Sequence, residues 1–370
     1  MHLAFNGWPL ARSGEPDAGL HLRDLLERLP ALAPQHRYTL LLPSSGTLTS
    51  FEGVAIAAVP VGTGEWARLW FEQSRLPREA ASRKADLLYF PYPAAPLASP
   101  LPVAIWQGCE AERRMARGPI GRLRAGVGFG GLAGAAARIF SGPGGTTDEA
   151  NRSLRRIPPM APRAFAPAER RQDREARGRY DLPETYVLAD SAGPGEIGLL
   201  LAAWAWVNST MGDTVTLIVL GTKGAQASAV SRRAGRLGLA GSVRVVEEVR
   251  AEDLPAIYRG AEAFLFAGWG CTGEAVRRAL ASGMAIVGAE NPGAAEVVGP
   301  AGYLVKGQDA RLLGAACITV LAEPEVRDRL RSQAQERGAL LTADAPLRAL
   351  LGHLEDVVKG GSPNKAGALS

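Results

Sequence analysis

The residues best suited to chemistry lie in a glycine-rich turn between a short apolar segment and an amphipathic one. The apolar segment, Ala263–Phe266, is typical of a buried parallel strand. The turn leads into a predicted helix that begins near Gly273 and ends at Gly283, where glycine suits a left-handed cap. Free backbone N–H groups at the start of such a helix can bind an anion, because the helix dipole places partial positive charge there. The turn therefore indicates a phosphate site, although an ordinary strand-to-helix connection has the same pattern.

Two cations could neutralise a phosphate bound at this turn. Arg278 lies on the predicted helix face opposite the core-facing residues, where its planar guanidinium could meet a phosphate bidentately. The alternative is a surface pair with Glu274, four residues earlier, which stabilises a helix by only about 0.3–0.5 kcal/mol. Lys223 follows the apolar segment Val215–Leu220 and is either a second phosphate ligand or a solvated loop lysine.

The elements that must position these residues alternate between strands and helices along the whole chain. At 370 residues the chain predicts two domains, each an α/β doubly wound parallel sheet of the Rossmann type. We expect an N-terminal domain over residues 1–160, a proline- and charge-rich linker over 161–182, a C-terminal domain over 183–340 and a disordered tail over 359–370. Two such domains face a central cleft, and ligands bind at the carboxyl ends of their strands. The absence of a clean GxGxxG after the first strand disfavours a dinucleotide oxidoreductase.

The composition limits the classes of protein and the compartments to be considered. Hydrophobic residues at 46% and charged residues at 21% are ordinary for a globular protein, and no apolar run approaches the ~20 residues of a membrane span. Cys109, Cys271 and Cys317 are far apart and odd in number, which argues against disulfides and a zinc site and favours a reducing cytoplasm. The four histidines show no ligand spacing, so no metal is expected.

The net charge of +5 is concentrated in arginines between residues 155 and 179. A solvated linker explains this cluster, and contact with an anionic membrane surface or an acidic partner remains an alternative. No basic helix with interleaved aromatic residues is present, so nucleic acid is not expected as a partner. A cytoplasmic location follows, with peripheral contact at the inner membrane face as a further option.

Three aromatic residues near residue 70 belong to a predicted amphipathic helix, Trp66–Arg83. Trp66, Trp70 and Phe71 are expected to be core side chains of the N-terminal domain, with a membrane-facing edge as the alternative.

Several long segments resemble one family. They are DAGLHLRDLLERL and RLWFEQSRLPREAASRKADLLYFPYPAAPL in the N-terminal half, and RYDLPETYVL, AAWAWV, LIVLG, LGLAGSVRVVEEVRAEDLPAIYRGAEAFLF and AAEVVGPAGYLV in the C-terminal half. In this order and spacing the chain is similar to the GT-B glycosyltransferases of the large retaining family that includes sucrose synthase. The resemblance implies a nucleotide-diphosphosugar bound mainly by the C-terminal half and an unknown acceptor on the N-terminal half, with retention of configuration and no metal. It also implies that a C-terminal helix, residues 341–358, returns to the N-terminal domain.

The resemblance assigns further site residues. Glu296 matches the family's glutamate in AAEVVG on the donor side. On the acceptor side, Gly19 is the retained glycine of the family's first glycine-rich loop, and Gln107 lies where the family has a histidine after a strand.

The departures from the family pattern fall where the chemistry is expected. Gly270 and Arg278 stand at the positions of two glutamates that contact the donor sugar and the nucleotide ribose. The loop Asp190–Leu201, which usually carries an Arg-Lys pair for the diphosphate, contains no cation. Each lost contact to the developing charge costs about 3–4 kcal/mol in the transition state. Two hypotheses follow: a retaining glycosyltransferase with a donor site rebuilt around Arg278, Lys223 and the Thr272–Gly273 turn, or a catalytically inactive subunit that binds or stabilises an active protein partner.

Overall fold

The computed structural model describes residues 1–11, 16–44, 50–107, 118–141, 154–168, 170–190, 194–268 and 272–360. The chain forms two compact units. The first comprises Met1–Ser141, Gly145–Pro158 and Asp344–Ser370, and the second comprises Gly142–Gly144 and Pro159–Ala343.

The first unit is built on a parallel sheet of seven strands in the order β3-β2-β1-β4-β5-β6-β7. The strands are β1 His2–Asn6, β2 Arg37–Pro43, β3 Val54–Val59, β4 Leu87–Phe90, β5 Val103–Trp106, β6 Ala137–Ser141 and β7 Leu154–Ile157. The central strands β1, β4 and β5 are buried along their whole length, as expected where both faces of a parallel sheet are covered. The strand order reverses between β1 and β4, which makes their carboxyl ends the switch point of this sheet.

The helices described before β7 are α1 Pro16–Leu32, α2 Glu65–Trp70, α3 Leu76–Ser82 and α4 Gly118–Gly131. A π turn, Phe71–Arg75, joins α2 to α3 in one continuous helix. Pro77 explains the π turn, because it has no N–H for the carbonyl of Gln73 and its ring would collide with that carbonyl in a regular α-helix. The extra residue in the turn rotates the following side chains relative to an ideal helix.

The second unit contains a parallel sheet of six strands in the order β10-β9-β8-β11-β12-β13, with its switch point between β8 and β11. The strands are β8 Tyr186–Ala189, β9 Thr216–Val219, β10 Val243–Val245, β11 Ala263–Phe266, β12 Ala285–Ala289 and β13 Gly302–Val305. The helices are α5 Asp173–Gly178, α6 Pro194–Met211, α7 Ala225–Arg236, α8 Leu254–Gly260, α9 Thr272–Ala281, α10 Pro292–Val298, α11 Ala310–Ala322 and α12 Pro324–Thr342. Both sheets are parallel and doubly wound, so the predicted fold class is confirmed.

The last helix, α13 Asp344–Lys359, belongs to the first unit and packs against α1, β6 and β7. Its contacts include an ion pair between Arg28 and Asp344, at 2.9 Å, and a hydrogen bond between His36 and Glu355.

The segment predicted as a linker lies in the second unit. It contains a short 3-10 turn, Arg163–Phe165, and helix α5, which packs on α8 through a buried ion pair between Asp173 and Arg259. Arg259 donates from Nε and Nη2 to the two carboxylate oxygens, at 2.6 and 2.8 Å. The charge pattern that suggests a solvated linker is therefore partly explained by a bidentate pair.

One sequence prediction cannot be compared with the structure, because residues 361–370 of the predicted tail lie outside the described residues. Among the helices that are described, none is both long enough and apolar enough to cross a bilayer.

Candidate functional site

The switch point of the second sheet is where a ligand of this unit is expected to bind, because neighbouring loops diverge there and leave a crevice. Asp190 directly follows β8 at this point, and Gly268 lies two residues after β11. The loops that continue from them include residues 191–193 and 269–271, which lie outside the described residues. Their sequences, Ser-Ala-Gly and Trp-Gly-Cys, contain no charged group.

Asp190 is a buried carboxylate held by an aromatic cluster. The hydroxyl of Tyr258, on α8, donates a hydrogen bond to Asp190 Oδ2 at 2.6 Å. The Tyr258 ring stacks on Phe264 with the centroids 5.9 Å apart, and this packing fixes the position of the hydroxyl. The hydrogen bond therefore fixes this carboxyl group at the carboxyl end of β8.

Glu196 brings a second carboxylate to the same switch point. It lies in the first turn of α6, where a negative charge is stabilised by the helix dipole. Its side chain lies against the backbone of Gly268, and a Cβ atom at that position would collide with Glu196 Oε1 and with the carboxyl carbon. A larger residue at position 268 would displace this carboxylate from its place beside β11.

Acidic side chains also follow the outer strands at this edge of the sheet. The acidic residues are Glu247 after β10, Asp190 after β8, Glu196 beside the end of β11 and Glu290 after β12. The lysines are Lys223 after β9 and Lys306 after β13. Among the described residues, the two side chains nearest the switch point are therefore carboxyl groups, those of Asp190 and Glu196.

Arg278 lies inside the second unit and not on an open face of α9. Its side chain is 1% exposed. The guanidinium carbon is 5.5 Å from the centre of the Phe165 ring, and Nη2 is 3.4 Å from Glu274 Oε1. Of the two sequence interpretations, the pair with Glu274 is present, but it is buried and not at the surface.

Phe165 connects Arg278 to the aromatic cluster. Its ring meets that of Tyr258 edge to face, with the centroids 5.2 Å apart. A continuous series of contacts thus runs from Arg278 through Phe165 and Tyr258 to Asp190. Phe165 belongs to the segment predicted as a linker, and no pattern in the sequence indicates that this ring covers Arg278.

The other residues predicted for the donor site lie on three elements of the second unit: the loop after β9, α9 and α10. Lys223 is half-buried in the loop between β9 and α7, where the neighbouring Gly224 N–H donates to Glu247 Oε2 at 2.6 Å. Gly273 is buried in the first turn of α9, whereas nothing is described of the Thr272 side chain. Glu296 is exposed on α10, a helix of seven residues.

The switch point of the first sheet is filled by a buried polar network. Asn6, the last residue of β1, donates from Nδ2 to the hydroxyl of Tyr92 at 2.6 Å. Tyr92, just after β4, donates in turn to Glu72 Oε1 at 2.7 Å. Glu72 lies on the π turn, and its side chain is fully buried.

Two arginines neutralise the buried Glu72. Arg68 donates from Nε to Glu72 Oε1 at 2.6 Å, and its guanidinium lies 4.9 Å from the centre of the Tyr92 ring. Arg124, on α4, places Nη1 3.6 Å from Glu72 Oε2 and donates from Nε to Glu65 Oε2 at 2.7 Å. Because each group is held by its neighbours, this network fixes α2, the π turn and α4 at the carboxyl end of β1.

The two acceptor-side residues named from the sequence lie next to this edge. Gly19 is buried in α1, where a Cβ atom would lie 3.3 Å from the carbonyl oxygen of Pro9. Gln107 follows β5, and its N–H donates to the carbonyl of Ile139 at 2.7 Å. Beside it, Trp106 stacks on His21 with the ring centres 4.1 Å apart.

Sequence reasoning missed the residues at the two switch points: Asn6, Glu72, Tyr92, Asp190, Glu196 and Tyr258. A detectable signal existed for the polar residues that end or directly follow apolar strands, since parallel strands bring such residues to one edge. No local pattern indicates Glu72 or Tyr258, because their roles depend on contacts between distant segments. Within the described residues, no group of three or more His, Cys, Asp or Glu side chains is placed to hold a metal ion.

Comparisons with known proteins agree with this architecture. Residues 195–337 match the family model described as glycosyl transferases group 1. Sucrose-phosphate synthase from Thermosynechococcus elongatus superposes with a TM-score of 0.68 at 18% identity, covering 97% of this chain and 99% of that one. No curated protein matches the sequence significantly.

Two further structures show the same fold over the whole chain. WaaG, a glycosyltransferase involved in lipopolysaccharide biosynthesis, has a TM-score of 0.65 at 14% identity, covering 97% of this chain and all of that one. Anabaena HepE, in complex with UDP and glucose, has a TM-score of 0.63 at 15% identity, covering 96% and 98%. The second unit therefore carries a domain of the glycosyl transferases group 1 family, and the chain as a whole has the GT-B fold.

Proposed function

We propose that this protein is a non-catalytic glycosyltransferase-like subunit, which binds or stabilises an active partner and does not transfer sugar from a nucleotide-diphosphosugar. The observation that carries the proposal is the pair of carboxylates, Asp190 and Glu196, at the switch point of the second sheet. A diphosphate leaving group carries about two negative charges, and stabilising that charge is the main electrostatic task of such a transfer.

The charges at this edge oppose that task. At about 4 Å and the effective dielectric constant near a protein surface, each carboxylate–phosphate charge pair costs on the order of 4 kcal/mol. The sequence supplies no compensating cation in residues 190–201 or 263–276. Arg277 and Arg278, the first cations after the second range, are both buried: Arg277 donates from Nε to the carbonyl of Met160, and Arg278 lies against Phe165 and Glu274.

A retaining glycosyltransferase is the second candidate, and two observations favour it. Lys223 is partly exposed after β9, and the first turn of α9 at Gly273 directs backbone N–H groups toward the carboxyl edge of the same sheet. These two features could hold a nucleotide-sugar of the kind that HepE binds as UDP-glucose.

Release of nucleotide from UDP-, GDP- and ADP-sugars by the purified full-length protein separates the two candidates. The non-catalytic subunit gives no release above a protein-free control, with or without added sugar acceptors. Saturable release that is lost in Lys223→Ala, with Lys306→Ala as the matched control at the same edge, would contradict the proposal and establish the transferase.

Charge-neutral variants of Asp190 and Glu196 test separately whether these two carboxylates exclude a diphosphate. Asp190→Asn with Glu196→Gln keeps an acceptor oxygen for Tyr258 and removes both negative charges. We expect this double variant to bind UDP at least tenfold more tightly than the wild type in calorimetric titration. The control is Glu247→Gln with Glu290→Gln, which removes two exposed charges of the same edge. This control should change UDP binding less. Equal affinities in the two double variants would show that the carboxylates do not exclude the diphosphate.

A further inference from the structure

Two tryptophans on α2 are exposed, although the sequence predicts core positions for them. Trp66 is 58% exposed and Trp70 is 46% exposed, and their spacing of four residues places them on one face of the helix. Phe71 is fully buried as expected. The prediction fails for the tryptophans because α2 turns its other face inward, where Arg68 pairs with the buried Glu72.

Two exposed leucines extend this apolar face. Leu97 is 63% exposed, and its N–H donates to the side-chain oxygen of Gln73, three residues after Trp70. Leu123, on α4, is 48% exposed. Leu97 also lies against α4, since a Cβ atom at Gly130 would be 3.2 Å from its Cδ2 atom.

The ion pair between Arg124 and Glu65 fixes the start of α2 beside α4, with Leu123 and Trp66 next in sequence to the paired residues. Single exposed hydrophobic residues are normal in globular proteins, but these four lie on elements that contact one another. We call these four residues, Trp66, Trp70, Leu97 and Leu123, the tryptophan surface.

The charges around the tryptophan surface are positive. The guanidinium carbon of Arg75 lies 4.3 Å from the centre of the Trp70 ring. Arg78 and Arg122 are exposed on α3 and α4. By contrast, the acidic residues of α2, the π turn and α3 are each paired with an arginine: Glu65 with Arg124, Glu72 with Arg68 and Glu79 with Arg83. Helix α4 contains no acidic residue.

We propose that the tryptophan surface docks the first unit on an anionic lipid bilayer. Tryptophan prefers the headgroup level of a membrane because its ring is apolar while its N–H needs a polar partner. Arginines beside an apolar face add attraction to anionic lipids, as in helices that lie in the membrane interface. A protein partner would need an acidic, apolar surface of matching shape, whereas a bilayer supplies negative charge and an apolar layer without shape matching.

Flotation of the full-length protein with vesicles tests the proposal. The vesicles are phosphatidylcholine alone, or a 7:3 mixture of phosphatidylcholine and phosphatidylglycerol. We expect binding to the mixed vesicles, weakened by 0.5 M salt, and little binding to the neutral ones. Trp66→Ala with Trp70→Ala should weaken binding to the mixed vesicles at least tenfold. Arg75→Gln with Arg78→Gln should weaken it roughly 30-fold, because each cation removed lowers the affinity about fivefold.

Matched controls exist in the second unit. Trp206 on α6 is 46% exposed, and the guanidinium of Arg311 lies 5.6 Å from its ring. Trp206→Ala, and Arg232→Gln with Arg236→Gln on α7, should change vesicle binding less than twofold. All four variants alter exposed side chains and should melt at the wild-type temperature.

Three results would overturn the proposal. The wild type could fail to bind either vesicle, bind both equally, or lose binding to the same extent in the controls. The wild type could instead self-associate without binding vesicles. If its molecular mass then falls to that of one chain in the Trp66→Ala, Trp70→Ala variant, the tryptophan surface binds a second copy of this chain.

Discussion

At the scale of single residues, Arg278 has the sequence position of a ligand contact, but its side chain is buried and stabilises the fold. On a helical wheel it stands opposite the core-facing alanine and leucine residues of α9, which is the position of a ligand contact. The ring of Phe165, more than 100 residues earlier in the chain, covers it. A buried guanidinium with a ring on one side and Glu274 near it contributes to stability, because removing it leaves a carboxylate in the interior.

Replacing Arg278 by alanine should therefore destabilise the protein by about 3–5 kcal/mol, the usual cost of breaking a buried ion pair. Chemical denaturation followed by circular dichroism measures this change. Arg232→Ala on the exposed face of α7 is the control and should change the free energy of unfolding by less than about 0.5 kcal/mol. An Arg278→Ala protein of unchanged stability would refute the structural role.

Asp173 predicts a pH dependence of stability. Burial alone would raise the pKa of this carboxyl group, but the hydrogen bonds from Arg259 and from the N–H of Arg170, with the charges of Arg259 and Arg177, lower it overall. The folded state therefore holds the carboxylate at a pH where the unfolded chain takes up a proton. This stabilisation is complete above the unfolded pKa, near 3.8, and is lost as the pH falls through the lower folded pKa.

We expect Asp173→Asn to be less stable than the wild type at pH 7 and to lose less of its stability between pH 5 and pH 3. Urea unfolding over this range measures both slopes. Glu175→Gln, whose side chain is 72% exposed, should keep the wild-type slope. Parallel slopes for the wild type and Asp173→Asn would contradict the assignment.

At the scale of elements, the helix from α2 to α3 provides an internal comparison of two arginine–glutamate pairs. Arg68–Glu72 is buried beside the π turn, whereas Glu79–Arg83 lies at the surface at a similar distance, 2.8 Å against 2.6 Å. Glu72→Gln should cost about 3–5 kcal/mol, because Arg68 and Arg124 lose their buried counter-charge. Glu79→Gln should cost less than about 1 kcal/mol. Equal values in urea unfolding would show that the buried network does not hold this helix in place.

The elements themselves were largely predictable. Runs such as Ala263–Phe266 and Leu87–Phe90 are short, apolar and followed by turn residues, and both are strands of parallel sheets. The segment from Pro159 to Arg179 was not predictable, because its prolines and charges are typical of a solvated linker. Its fold depends on the pair between Asp173 and Arg259, 86 residues apart, and no local pattern encodes such a contact.

The site was predictable only where a strand ends. Sequence alone shows that residues 190–201 lack a cation, and Asp190 follows an apolar strand. Two contacts depend on how separate segments pack and were not predictable. Glu196 lies against Gly268, and Phe165 covers Arg278. Similarly, the exposure of Trp66 and Trp70 depends on which face of α2 the buried Arg68 and Glu72 select.

At the scale of the whole molecule, the chain combines the GT-B fold with two carboxyl groups, Asp190 and Glu196, at the switch point of the second sheet. A scaffold can be maintained for binding while its chemistry is lost, because function depends on the residues of the site and not on the fold. The tryptophan surface lies on the first unit, so docking on a membrane does not require a donor in the second.

Thermal unfolding of the full-length protein with UDP, GDP, ADP and their sugar derivatives at millimolar concentration tests the central claim most directly. A ligand at 100 times its dissociation constant adds about 2.7 kcal/mol of stability, which raises the melting temperature by several degrees. The negative switch point predicts no shift for the wild type with any of these ligands, and a shift with UDP for Asp190→Asn with Glu196→Gln. A saturable shift of the wild type that disappears in Lys223→Ala would contradict the account, because the switch point would then bind a nucleotide.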